Sequence, residues 1–553
     1  MFQRLKSFAA SLTSKPQDKI EKALNLPEKI KSAKSAETKQ YADHPCPDYM
    51  GLKLAFRDTG RLNAIIETLG RDFLTAMPEG AYISRLGQIA FLYRQMHQTL
   101  SEPSLIEKLS GAKDHMQNSP QDWDEWDQAN LREIETAIRH HAGVPADLIE
   151  KRARLMFEGR HVHRDALKNN DWENARTFLE GVVELHQKIA DAKQLTDNDH
   201  PESRYQSLLR EYIPGARIDD IDALFDGYRQ ELDTLIPQIL SVQETRPQAI
   251  SMQGVFSAKS QMWLNREMLR LIGFDFDRGG LYETGHNPVE GGTPDDTRLV
   301  MKTAKIGTFL DSLKSALHEG GHGIYIQGLP RKQWRYQPIG QDLGALVHES
   351  QALLIEMILG RKREFFDYIS PRAEGVFQRF NDPALTSENL WLLKNSVSKT
   401  IDRKSADEVT YFLHIQMRTD IERQLISGEL KVKDLPDAWN TYSRELFGKK
   451  PKTYAEGCLQ DVHWFVGKFG YFPSYALGHM MAAQLYNAIT RDIPHMPAQL
   501  RSGDFTHIHR WLQDKIYTKG RLKRTNDLLT DITGEPLTYN PLVKHIKNRY
   551  LNT

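Results

Sequence analysis

From about Tyr49 onward, alternation of apolar and polar residues with period two is scarce, and good helix formers dominate. A chain written this way has few means of building half-buried strands and many of building amphipathic helices, so a mainly α fold is predicted. Turn signals punctuate the pattern at Met77-Pro78-Glu79-Gly80, Gly143-Val144-Pro145, Ile213-Pro214-Gly215 and Asp434-Leu435-Pro436. One segment breaks it: residues 273–303 are rich in Gly, Asp and Thr and read as loop with two short strands. A long irregular stretch inside a helical protein is usually functional.

The beginning of the chain differs from the rest. Residues 1–49 are Lys-rich and close on Asp43-His44-Pro45-Cys46-Pro47, whose two prolines are expected to break any helix. This predicts an N-terminal extension over 1–49 and a main folded body over 50–553. The first residues are basic and free of acids up to Asp18, a composition shared with organelle transit peptides, and they lack the apolar stretch of a secretion signal. A solvated extension on a cytoplasmic protein is the expectation, with organellar import as the alternative.

Bulk properties narrow the function classes. The 553 residues suffice for a large core. Lys and Arg (73) balance Asp and Glu (73), which gives no net electrostatic drive toward nucleic acid or an anionic membrane; neither partner is expected. Only Cys46 and Cys458 are present, which argues against a disulfide framework and a cysteine-based zinc cluster and fits a reducing compartment. No window approaches the roughly eighteen apolar residues of a membrane span.

The chemistry begins at His318-Glu319-Gly320-Gly321-His322, an HExxH. At about 100° per residue, the two histidines of a helix lie about 40° apart on one face, one turn above the other. Two imidazoles so placed can share a metal, and Glu319 beside them can act on a water without being a ligand. Leu313, Leu317 and Ile324 fall on a stripe roughly opposite, which would bury the helix and leave the histidines facing a cleft. Two adjacent glycines cost about 1 kcal/mol each in a helix. They are tolerated where a substrate or another backbone comes close. The third ligand has a candidate 27 residues after His322: Glu349, expected in the first turn of an apolar helix that stops at Gly360. Two histidines, one glutamate and an open position form a known catalytic zinc set.

These motifs, in their order, resemble the carboxypeptidase Taq family of metallocarboxypeptidases. The chain carries the family's HExxH at 318–322 and its HESQ as His348-Glu349-Ser350-Gln351, whose Glu is the family's third zinc ligand. The IRxxAD motif appears in part as Arg403-Lys404-Ser405-Ala406-Asp407. The GxxQDxHW motif is complete, from Gly457 to Trp464, and a similar run GKFGYFPSYALG follows at 467–478. Asp72 to Pro78 looks like the family's WDxxTxMP, with Arg71 in place of Trp. The resemblance covers roughly residues 50–553. There are departures: DxRxT is here Asp296-Thr297-Arg298-Leu299-Val300, the Ile of IRxxAD is Asp402, and Ala352-Leu353 follow HESQ. They leave the metal set intact and bear on substrate preference.

The resemblance implies a mainly α, two-lobed helical body with a deep substrate groove and a small β element near 273–303. It implies a homodimer that acts on peptides with a free C-terminus and with broad specificity. The cofactor is expected to be one divalent metal, Zn2+, with Co2+ or Mn2+ as alternatives. Glu319 is the expected general base, and His463, Tyr471 and Tyr475 are candidates to stabilise the oxyanion. Arg298 and Arg403 are candidates for the substrate carboxylate, because a guanidinium grips a carboxylate through paired hydrogen bonds. Arg403 has a second role open to it: pairing with Asp461 or Asp407 to hold the groove's end wall. Gln351 and Asp461 join the substrate-binding candidates through their motifs, and loop residue His286 is a weaker one. Two other functions compete: an oligopeptidase or dipeptidyl carboxypeptidase with the same zinc set, and a peptide-binding protein on a peptidase scaffold without turnover.

Overall fold

In the computed structural model the described residues are 44–194, 203–283, 291–303, 308–332 and 334–552. The helices that build the site are α1 (Pro47–Thr75), α2 (Ala146–Asn169), α3 (Ala258–Leu271), α4 (Leu310–Gly328), α5 (Ala345–Leu353), α6 (Tyr411–Ser427), α7 (Pro473–Asp492) and α8 (Asn540–Tyr550). Further helices fill most of the remaining described residues, as the helical pattern predicts. The irregular segment contains three short strands where two were expected: β1 (Gly279–Glu283), β2 (Gly292–Thr293) and β3 (Asp296–Met301). β3 is central, parallel to β1 with Leu281 opposite Leu299, and antiparallel to β2 with Gly292 opposite Thr297.

The start of α1 corrects one expectation. Pro47 opens the helix instead of breaking it, because a first-turn residue has no N–H to lose. Cys46 Sγ accepts from the Tyr49 N–H at 3.5 Å, and both side chains are buried.

Two lobes follow from where the apolar side chains go. Tyr49, Leu52 and Phe56 of α1 pack with Leu105, Trp123 and Ile134 into a core of their own. The far larger second core takes in Leu313, Leu317 and Ile324 of α4, so the apolar stripe is buried as its spacing requires. Between the lobes runs a groove of about 1200 Å3, lined by Phe56, Glu67 and Arg71 from the first and by His318, Glu349 and His463 from the second.

Candidate metal centre and substrate groove

His318 and His322 stand on α4 with ring centroids 4.9 Å apart and planes at 88°. His322 and Glu319 are buried, and His318 keeps about a fifth of its side chain open to the groove. The two glycines between the histidines have separate explanations. A Cβ on Gly320 would come within 2.6 Å of Leu269 Cδ2 on α3, and one on Gly321 within 2.6 Å of the Ala352 Cα and the Gln351 carbonyl on α5. The cost of glycine is therefore offset by close packing on two sides.

That contact brings Glu349 to the histidines. It lies one turn further into α5 than the sequence suggested, because the helix starts at Ala345, behind Gly344 at φ +95°. The carboxylate is 1% exposed. Its Oε1 is 3.7 Å from His318 Nε2 and its Oε2 is 3.6 Å from His322 Nε2. On the far side Gly478 of α7 makes room, since a Cβ there would be 3.0 Å from Glu349 Cβ. Candidate donor atoms of His318, His322 and Glu349 lie within 4.8 Å of one another, the one such metal-ligand group among the described residues.

The other ring nitrogens are also engaged. His318 Nδ1 lies 3.0 Å from Glu356 Oε2, and His322 Nδ1 meets His348 Nδ1. With Nε2 reserved for a cation, the Nδ1–H of each histidine donates outward, which fixes tautomer and ring orientation. Glu356 belongs to a π-helical turn, Leu354–Leu359, that widens the end of the Glu349 helix. The turn closes with the Gly360 N–H on the Ile355 carbonyl at 2.8 Å. Arg549 of α8 donates to the carbonyls of Met357 and Ile358, both at 2.6 Å, and to Glu408 at 2.7 Å.

The electrostatics suit a cation. Burial alone would lower the His318 pKa, but Glu349, the hydrogen bond to Glu356, and Glu319 outweigh it and push it up to about 10. Glu356 is held well below the usual carboxylate range: burial would raise it, and Lys314, His318 and Arg361 prevail. Three carboxylates thus keep a positive charge between them. The two imidazole nitrogens and one carboxylate match the donor preferences of a borderline divalent ion.

Further along the groove, Asp461 is clamped between two arginines. Arg403 Nη2 is 2.7 Å from Asp461 Oδ1, and Arg418 Nε of α6 is 2.6 Å from Oδ2. Of the two pairings considered for Arg403, the one with Asp461 forms, while Asp407 accepts from the Ser398, Val409 and Thr410 N–H groups. Arg403 Nη1 also donates to Tyr411 Oη at 3.3 Å, and its guanidinium lies 5.4 Å from the Tyr475 ring centre. His463 Nε2 is 3.2 Å from Tyr475 Oη, and the His463 and Tyr471 rings are 5.7 Å apart. Burial, with Arg403 beside it, holds His463 well below its ordinary pKa, and burial raises Tyr475, so both are neutral near pH 7.

Glu319, His463, Tyr471, Arg403 and Asp461 therefore line the same groove as the three candidate ligands. Two predicted residues are placed elsewhere. Gln351 is fully buried, its amide donating to Ser350 Oγ at 2.9 Å. Arg298 makes a paired contact with Asp296 at 2.8 and 3.0 Å and does not line the groove. His286 lies outside the described residues. Sequence reasoning missed Glu356, His348, Arg418, Gly478 and Arg549. Glu356 had a signal, since it follows Glu349 by two helical turns; Arg549, far along the chain, had none.

A family model described as carboxypeptidase Taq (M32) metallopeptidase matches residues 51–550. Thermostable carboxypeptidase 1 of Thermus thermophilus is 31% identical over 508 residues, covering 91% of this chain and 98% of the relative. Carboxypeptidase 1 of Bacillus subtilis is 33% identical over 390 residues, covering 70% and 76%. Among solved structures, metallocarboxypeptidase 1 of Trypanosoma cruzi superposes with a TM-score of 0.84 at 30% identity, covering 91% of this chain and 99% of that one.

Proposed function

The chain belongs to the carboxypeptidase Taq (M32) metallopeptidases and is a metallocarboxypeptidase, and on that premise we propose that it uses one zinc ion, held by His318, His322 and Glu349, to release single residues of broad variety from the free C-terminus of peptides. The observation that carries this reading is the convergence of two imidazoles and one carboxylate within 4.8 Å, in the groove that also holds Glu319 and Arg403. When bound, such an ion supplies Lewis acidity toward the scissile carbonyl and lowers the pKa of water toward about 7.

The protein's own groups do the rest. Glu319, next to His318 and outside the ligand set, takes the proton of the attacking water and returns it to the leaving amine. Neutral Tyr475, with His463 on its hydroxyl and Tyr471 nearby, offers an O–H to the developing oxyanion. Arg403 is locked by Asp461 and presents its guanidinium to the groove, so it is the better placed of the two arginines to receive the terminal carboxylate. An arginine at that wall also limits how much peptide fits beyond the scissile bond, which favours single-residue release over dipeptide release.

The test is release of free amino acids from a short peptide, beside its C-terminally amidated copy, with and without chelator. Single residues are expected in sequence from the free peptide, and little or nothing from the amidated or chelated samples. Dipeptide products would overturn the assignment of Arg403 as the end wall.

A further inference from the structure

Two arginines of the groove take no part in this chemistry. Arg71 lies near the end of α1 and Arg160 in α2, and both line the groove. Arg71 is 8% exposed. Its Nη2 donates to Glu67 Oε2 at 3.1 Å, and its buried Nη1 has no hydrogen-bond acceptor among the described residues. The guanidinium rests on the backbone of Gly291, at φ +144°, where a Cβ would come within 1.4 Å of Nη2. No side chain other than glycine's hydrogen leaves room for it. Arg160 is half-buried and forms no salt bridge among the described residues. Burial and the neighbouring Arg71 charge both lower its pKa, and no carboxylate offsets them.

The charges do not balance at this place. Glu67 pairs with Arg71, and among the described residues no carboxylate pairs with Arg160. A buried N–H left without an acceptor costs about 1–3 kcal/mol, more for a charged group. Two like charges in a partly dry wall add to that cost. The fold pre-sets Arg71 against Gly291, so an incoming anion finds a donor already oriented. Arg71 also stands where the resembled motif has Trp, so this charge is a departure of this chain.

Resting on the peptidase reading above, we propose that Arg71 and Arg160 form a subsite for a carboxylate side chain, Asp or Glu, of the peptide substrate. Arg71 Nη1 supplies the unused donor and Arg160 the unpaired charge. The pair thereby sets a preference for acidic peptides on top of a broad choice of terminal residue.

The test uses the full-length, metal-loaded enzyme and a set of equal-length peptides with one Glu moved through successive positions, each beside its Gln counterpart. At one position kcat/KM is expected to favour Glu by about tenfold or more, the scale of one charge-assisted hydrogen bond. In Arg160→Gln that ratio should fall toward one, in Arg160→Lys it should be partly kept, and in Arg160→Glu a Lys peptide should replace the Glu peptide as the better substrate. A wild-type ratio near one at every position, or a ratio that Arg160→Gln leaves unchanged, would overturn the subsite while leaving the peptidase reading standing. No cleavage of any peptide would overturn the peptidase reading and the subsite with it.

Discussion

Glu356 Oε2 sits 3.0 Å from His318 Nδ1, and a single π-turn brings it there. A carboxylate on the outer nitrogen of a metal-binding histidine fixes the ring and strengthens it as a donor. Replacing Glu356 with Gln should weaken metal binding by about 10- to 100-fold, the usual effect of losing such a partner. Competition against a chromophoric chelator measures this directly. Unchanged affinity would mean that His318 is held by packing alone.

The π-turn depends in turn on the last helix. Arg549 satisfies the Met357 and Ile358 carbonyls and pairs with Glu408, which also accepts from His545 at 3.1 Å and Tyr550 at 3.0 Å. Arg549→Met removes the cation and leaves a buried carboxylate and two carbonyls short of donors. Breaking a buried pair from one side costs about 3–5 kcal/mol. Denaturant unfolding should show a loss of that order, and metal affinity should fall as Glu356 shifts. A variant as stable as wild type would contradict the role given to Arg549.

Burial raises Glu422 from its ordinary 4.5 to about 8, even though Tyr205, Trp464 and the Gly470 N–H donate to it. It is therefore protonated in the fold near neutrality and ionised when the chain unfolds. Below about pH 4.5 the group is protonated in both states. Between there and about pH 8 unfolding releases its proton, so stability falls as pH rises. The slope is on the order of 1 kcal/mol per pH unit. Compared with wild type, Glu422→Gln should flatten the stability profile across that window. Parallel profiles for the two proteins would show that Glu422 is ionised in the fold.

Legibility in the sequence tracked distance along the chain. The HEGGH helix could be read because helical spacing alone puts His318 and His322 on one face and Leu313, Leu317 and Ile324 on the other. Glu349 could be read because an apolar helix began beside it, although its start was misjudged by a turn: the glycine at φ +95° that sets it leaves no periodic trace. Glu356 carried a readable signal, seven residues after Glu349 and so on the same helical face, but the π-turn that sets its final position leaves no trace in the sequence. Arg298 drew attention through its motif, yet on a strand residues two apart share a face, so its nearest carboxylate is Asp296. Arg418, Gly478 and Arg549 reach the site by tertiary packing, which no local pattern encodes. Pro47 shows the same limit in reverse, since proline stops a helix from within and starts one at its first turn.

In the proposed mechanism Glu319 moves the proton while His318, His322 and Glu349 hold the metal. The most direct measurement pairs metal binding with single-turnover peptide cleavage in Glu319→Gln. One metal ion per chain with near wild-type affinity is expected, with a rate at least about 10²-fold lower, since general-base catalysis contributes roughly 10²–10⁴-fold. A Glu319→Gln enzyme that binds one metal and still cleaves at the wild-type rate would contradict this mechanism.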